Sequence, residues 1–149
     1  MMERFTPIFS NSLLMVALLS WFVAQVLKVI LTLINDHKLD FQKLISSGGM
    51  PSSHSAISTS LAIGVGQSYG YDSALFAIAA VLSFIVMYDA ANVRLEAGKQ
   101  AALLNRIIDV LQDPNVTLEV RLKELLGHTP LQVAAGAVLG IGIALIFIP

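Results

Sequence analysis

Four long apolar runs alternate with polar segments along the chain. The first covers about Leu13–Ile34 and is interrupted by Gln25 and Lys28. The second, His54–Tyr69, is rich in Ser, Ala and Gly. The third is Ala74–Tyr88 and the fourth Leu131–Ile148. A helix that crosses the hydrocarbon core needs ~20 mostly apolar residues. The pattern therefore predicts about four transmembrane helices. The second and third runs are short for full spans, so they extend into their flanks or sit tilted in the bundle. Only Gly70–Asp72 and its neighbours separate them, which predicts an antiparallel hairpin.

The segment between Asp89 and Pro130 is polar and carries two helical patterns. Ala97, Ala101, Leu104, Ile108 and Leu111 are spaced 4, 3, 4 and 3, which defines one helix face. Asp113-Pro114-Asn115 breaks that pattern. Thr117 then suits an N-cap and Gly127 the residue after a helix end, with Leu118, Leu122, Leu125 and Leu126 as the apolar side between them. These are expected to be amphipathic or re-entrant helices of the third loop, lying on the bundle. The fold class is all-α: a polytopic membrane helix bundle formed by residues 1–149 as one domain.

Composition agrees. Of 149 residues, 56% are hydrophobic and 13% charged, about half the charged share of soluble domains. Mean hydropathy is +0.76. There is no cysteine, which removes disulfide and thiolate chemistry. A cleaved signal peptide is not expected, because the first apolar run is too long for one and no small-residue cleavage site follows it. A net charge of −1 gives no reason to expect nucleic acid as a partner.

Charge placement carries more. Lys38 and Lys43 lie in the first loop, and Arg94, Lys99, Arg106, Arg121 and Lys123 in the third; the second loop has neither Lys nor Arg. With four spans, loops one and three share a side, and basic loops stay cytoplasmic. The chain is expected to be an integral protein of a bacterial plasma membrane with both termini outside. The fourth span holds Ala134, Ala135, Gly136, Ala137, Gly140 and Gly142. Small residues at such spacing allow close helix contact, within one chain or across a homodimer.

Polar groups inside a bilayer are costly and are functional candidates by default. Gln25, Lys28, Thr32 and Asn35 form one stripe, spaced 3, 4 and 3. An isolated Lys28 would snorkel to the interface; a whole stripe favours a lysine facing inward. Gly48-Gly49-Met50-Pro51-Ser52-Ser53-His54 opens the second span. Ordinary capping explains the serines, but not the two glycines, which can expose backbone donors to a ligand. A helix start with free N–H groups also binds anions. Asp89 and Arg94 follow the third span, and Gly127-His128-Thr129-Pro130 precedes the fourth. His37 sits in a polar loop. Two imidazoles beside Lys and Arg at one membrane face suit phosphoryl transfer: one attacks phosphorus and the other protonates the leaving oxygen. The cations argue against a metal at His54, His128 and Asp89, so neither metal nor cofactor is expected.

The stretch GGMPSSHSA resembles the Pro-Ser-Gly-His motif of the type 2 phosphatidic acid phosphatase (PAP2) superfamily, which also includes vanadium haloperoxidases. GHTPLQVAAG resembles its His-Tyr-Pro-Ser-Asp-Val-Leu-Ala-Gly motif, matching at His128, Pro130, Val133, Ala135 and Gly136. Together with MYDAANVR and AGKQAALLN, these look like the divergent branch called DUF212, over nearly the whole chain. The resemblance implies a nucleophile at His128, an acid at His54, and phosphate binding by Lys28, Ser52, Ser53, Gly48, Gly49 and Arg94. The chain departs from the usual pattern in several places. It has no Arg-Pro, and Asn35 stands seven residues after Lys28. Leu122 stands where an Arg usually precedes the nucleophile, so Arg94 fits only if Leu95–Gly127 is an insertion. Gln132 replaces the Asp that orients the nucleophile, with Asp89 as a candidate substitute. The usual six core helices are here about four. The expected substrate is a membrane lipid phosphate or diphosphate; the alternative is a non-catalytic relative that binds, moves or scaffolds an anionic lipid.

Overall fold

The computed structural model describes residues 6–37, 48–111 and 127–149. It is helical: α1 (Thr6–Phe9), α2 (Ser12–Asp36), α3 (Ser53–Tyr69), α4 (Ala74–Tyr88), a π turn (Asp89–Val93), α5 (Arg94–Leu111) and α6 (Pro130–Phe147). Among the described residues three helices are long and apolar enough to cross a membrane, over Ser12–Ile34, Ala74–Asp109 and Pro130–Phe147. The fourth expected span, α3, has 17 residues, or ~26 Å at 1.5 Å per residue.

α3 is the centre of the bundle. It packs on α2, α4 and α6, and α2 also touches α6. Its buried residues are all small: Ser53, Ser55, Ala56, Thr59, Ser60, Ala62, Gly64 and Gly66. That is what lets three neighbours approach one helix. Two of its buried hydroxyls are satisfied locally, with Thr59 Oγ1 donating to the Ser55 carbonyl at 2.6 Å and Ser60 Oγ to the Ile57 carbonyl at 3.1 Å. Such bonds make a Ser/Thr-rich helix tolerable away from water.

The α3–α6 seam uses the glycines of the fourth span. A Cβ on Gly136 would collide with the Ser52 carbonyl, and one on Gly140 with the Ala56 carbonyl and Thr59 Oγ1. Gly136 and Gly140 thus serve packing inside the chain. α6 therefore runs parallel to α3, with both N-termini at one end of the bundle. The Ser52 N–H reaches the Gln132 carbonyl across that seam at 3.0 Å. The bulky core lies at the other end, where Val16, Ile143 and Ile148 are joined by Leu13, Leu19, Val23 and Leu139.

The expected hairpin is present. Gly70, at φ 91°, closes α3, and Ser73 caps α4 by accepting the Phe76 N–H at 3.1 Å. The third loop differs from expectation. α5 is not a separate helix laid on the bundle: it continues α4 through the π turn, and that turn is its main contact. Its buried face is Gly98, Ala101 and Asn105, while Leu104 is 48% exposed. The second pattern of that loop, Thr117 to Leu126, lies outside the described residues.

Candidate functional site

The site is built where α3 and α6 begin. Ser52 caps α3, its Oγ accepting the Ser55 N–H at 3.3 Å. Gly49 in the preceding turn has φ 94°, a conformation side chains rarely adopt, and a Cβ there would sit 3.6 Å from Lys28 Cδ. Gly49 thus lays the backbone along the lysine stem. Gly48 has open space around it and carries no such constraint.

Lys28 comes from α2 and is 1% exposed. It faces inward, as the polar stripe suggested. Its Nζ donates to Gln25 Oε1 at 2.7 Å and to Ser53 Oγ at 3.3 Å. The ammonium is therefore held at the first turn of α3, beside His54. Gln25 is 4% exposed; the stripe revealed its face, but its bond to Lys28 is visible only in three dimensions.

α6 starts with a capping box. Thr129 Oγ1 accepts the Gln132 N–H at 3.4 Å, Gln132 Oε1 accepts the Thr129 N–H at 3.1 Å, and Pro130 takes the first position. Gln132 Oε1 also lies 3.2 Å from His128 Nδ1. His128 is 1% exposed, and its ring lies 6.1 Å from the His54 ring, centroid to centroid, at 63°. Both rings can reach one phosphoryl group.

The π turn completes the site. The His128 N–H donates to the Ala90 carbonyl at 2.9 Å. The two ends of the segment between the π turn and α6 are therefore joined by a backbone hydrogen bond, a junction compatible with an insertion there. Asp89 is half-buried at the start of that turn, and Arg94 is the first residue of α5 just beyond it. Ala90 contributes through its backbone, which no residue type announces. His37 is exposed at the C-terminal cap of α2.

The structure thus brings His54, His128, Lys28, Ser53 and Gln132 to one end of the bundle. Two helix N-termini add their partial positive charge there. Ser52 is occupied by its cap and by its backbone bond to Gln132. Further along α3 is a small crevice of ≈ 150 Å³ between α3, α4 and α6, walled by Ala62, Ile63, Phe76, Ala80 and Ile141, with Thr59 and Ser83 also at its edge. Thr59 is five residues past His54, ~7.5 Å along the helix.

The model of the divergent PAP2 family, DUF212, matches residues 9–143. The chain is 39% identical to the uncharacterized membrane protein YuiD of Bacillus subtilis (strain 168) over 148 residues, covering 92% of this chain and 94% of that relative. No solved structure matches it. With both histidines inside the matched region, at the starts of the two parallel helices, the chain belongs to the divergent PAP2 family of membrane proteins.

Proposed function

We propose that the chain is an integral-membrane phosphatase that hydrolyses a lipid phosphate or diphosphate through a phosphohistidine on His128. The observation that carries this is the pairing of His54 and His128, 6.1 Å apart at two converging helix starts, with the buried Lys28 alongside. In the first step the His128 Nε2 lone pair forms a bond to phosphorus. The ester P–O bond breaks, and its oxygen leaves with the bonding pair and takes a proton from His54. In the second, His54 takes a proton from water, the water oxygen bonds to phosphorus, and the N–P pair returns to His128. Lys28, Arg94, Ser53 and the N–H groups around Gly48 and Gly49 hold the equatorial oxygens, while Ser52 shapes the turn that presents them. Asp89 is assigned to support His128 from the π turn.

The lipid class is supported by the surroundings. A substrate entering from the bilayer meets the crevice beyond Thr59, whose apolar walls accept hydrocarbon and make no demand on a headgroup. The location assigned is a bacterial plasma membrane with the site at the cytoplasmic face, on the argument of the basic loops.

Gln132 supports a second reading, a relative that binds an anionic lipid without turning it over, since an amide stabilises an imidazolium less than a carboxylate does. One experiment separates them: phosphate release from a panel of detergent-solubilised lipid phosphates, by the wild-type protein and by His128→Ala. Release that depends on His128 is expected. Binding of the same lipids without release would establish the second reading. Release should survive EDTA and be inhibited by vanadate, which mimics pentacoordinate phosphorus.

A further inference from the structure

Gln25 lies one turn before Lys28 on α2, and its side chain is buried where polar groups are expensive. Its Oε1 accepts from the Lys28 ammonium at 2.7 Å, and Ser53 Oγ accepts from the same nitrogen at 3.3 Å. The ammonium is thereby drawn between α2 and the first turn of α3. Both of these acceptors are neutral. A carboxylate at position 25 would have the same reach and bond the ammonium more strongly. It would also set a full negative charge close to the place where the phosphoryl oxygens are bound.

We infer that Gln25 is a positioning residue of the anion site: it aims the Lys28 ammonium towards Ser53 without setting a negative charge of its own beside the bound phosphoryl group. The choice of an amide is then functional. It supplies the geometry of an ion pair without the charge that would repel the ligand. The inference rests on the phosphate-binding part of the reading above and is independent of whether the bound group is hydrolysed.

The competing role is structural: Gln25 does no more than satisfy a buried lysine so that α2 can fold against α3. The two roles differ over Gln25→Glu. A structural role is served as well or better by Glu, since the acceptor is kept and an ion pair is added. A positioning role is damaged, because the new charge opposes the anion. Gln25→Met removes the acceptor without adding charge, and so weakens the fold more than the field at the site.

The test uses the full chain purified in detergent, with orthovanadate and inorganic phosphate as probes. Binding is read by calorimetric titration and folding by thermal unfolding. The wild-type protein should bind both anions. Gln25→Glu should unfold no earlier than wild type yet bind them ~10-fold more weakly or worse, as expected for a like charge within several ångströms. Gln25→Met should unfold earlier and lose less affinity than Gln25→Glu. These opposite orders, of stability and of affinity, are the signature of positioning. Unchanged affinity in Gln25→Glu, or losses that simply follow stability, would overturn the inference. A wild-type protein that binds vanadate but releases no phosphate from any lipid would sink the hydrolytic reading and leave this one standing; one that binds neither anion would end both.

Discussion

His128 Nδ1 stands 3.2 Å from Gln132 Oε1, and the arrangement of that amide decides the chemistry of the ring. The Thr129 N–H, always a donor, points at the same oxygen from 3.1 Å. The amide atom between them is therefore oxygen, and it can only accept. His128 Nδ1 must then carry a proton, which leaves Nε2 with the lone pair that a nucleophile needs. Nitrogen-detected NMR of the His-labelled protein should show His128 as the Nδ1–H form, and Gln132→Met should release it. Glu also fits a capping box, so Gln132→Glu should keep the fold while giving the phosphorylated imidazolium a charged partner. Turnover should rise ~10-fold, on the strength of charge-assisted hydrogen bonds. A fall in turnover would mean that residue 132 does not support the charge on His128.

The two histidines should separate by substrate. General acid assistance is worth ~10²–10⁴-fold, and an activated aryl phosphate has little need of it. His54→Ala should therefore retain far more activity on p-nitrophenyl phosphate than on a lipid phosphate. His128→Ala should be inactive on both, since the covalent step is gone. Acid quench should trap phosphate on His128 in the His54→Ala protein. Equal losses for both variants on both substrates would leave no basis for the two roles.

Gly136 should be far less replaceable than Gly142. A Cβ on Gly136 meets the Ser52 backbone carbonyl, which is fixed by the cap of α3 and by the Ser52–Gln132 bond, whereas a Cβ on Gly142 meets open space. Gly136→Ala should cost ~1–3 kcal/mol, the usual range for overpacking, and lower the unfolding midpoint in detergent. Gly142→Ala should fall within about 0.5 kcal/mol of wild type. Comparable effects at the two positions would mean that α6 does not approach α3 through Gly136.

Apolar run length read the spans well, because α2, α4 and α6 are long apolar helices set off by polar segments. It read the inside of the bundle poorly. In lipid, large apolar side chains have no reason to turn inward, and Ile78, Phe84, Leu131, Val138 and Ile146 are all more than 60% exposed. Burial is marked instead by small and polar residues such as Ser20, Ala24, Ser55 and Ser60. This is why the face drawn through Ala97, Ala101, Leu104 and Ile108 included the buried Ala101 of α5 but missed the buried Gly98 and Asn105. The site histidines were legible because they occupy helix starts with recognisable local signals. The Gln25–Lys28 bond and the carbonyl of Ala90 were not, since one needs the rotamers of two side chains and the other is backbone.

The crevice beyond Thr59 offers a test of chain selection. Ala80 of α4 is one of its walls, and a phenyl ring there would fill much of the space. Ala80→Phe should lower activity on long-chain lipid phosphates ~10-fold relative to short-chain ones, in line with the few kcal/mol that a hydrocarbon pocket can discriminate. Activity on p-nitrophenyl phosphate, which does not reach so far, should hold. A uniform loss on all substrates would show that Ala80→Phe disturbs the helices and not a tail.

Asp72 and Lys99 should report opposite sides of the membrane. Asp72 is exposed in the α3–α4 hairpin, at the end of the bundle away from the histidines. Lys99 is exposed on α5, which extends α4 past the site end and pairs Lys99 with Glu96 at its surface. If the basic first and third loops hold the site end in the cytoplasm, a single cysteine at position 72 meets an impermeant thiol reagent outside intact cells, and one at position 99 does not until the cells are opened. The chain has no cysteine of its own, so any labelling reports the introduced one. The reverse pattern would put His54 and His128 at the outer face and move the substrate to the lipids of the outer leaflet. Labelling of both positions in intact cells would contradict a bundle whose α3–α4 hairpin and α5 lie on opposite sides of the bilayer.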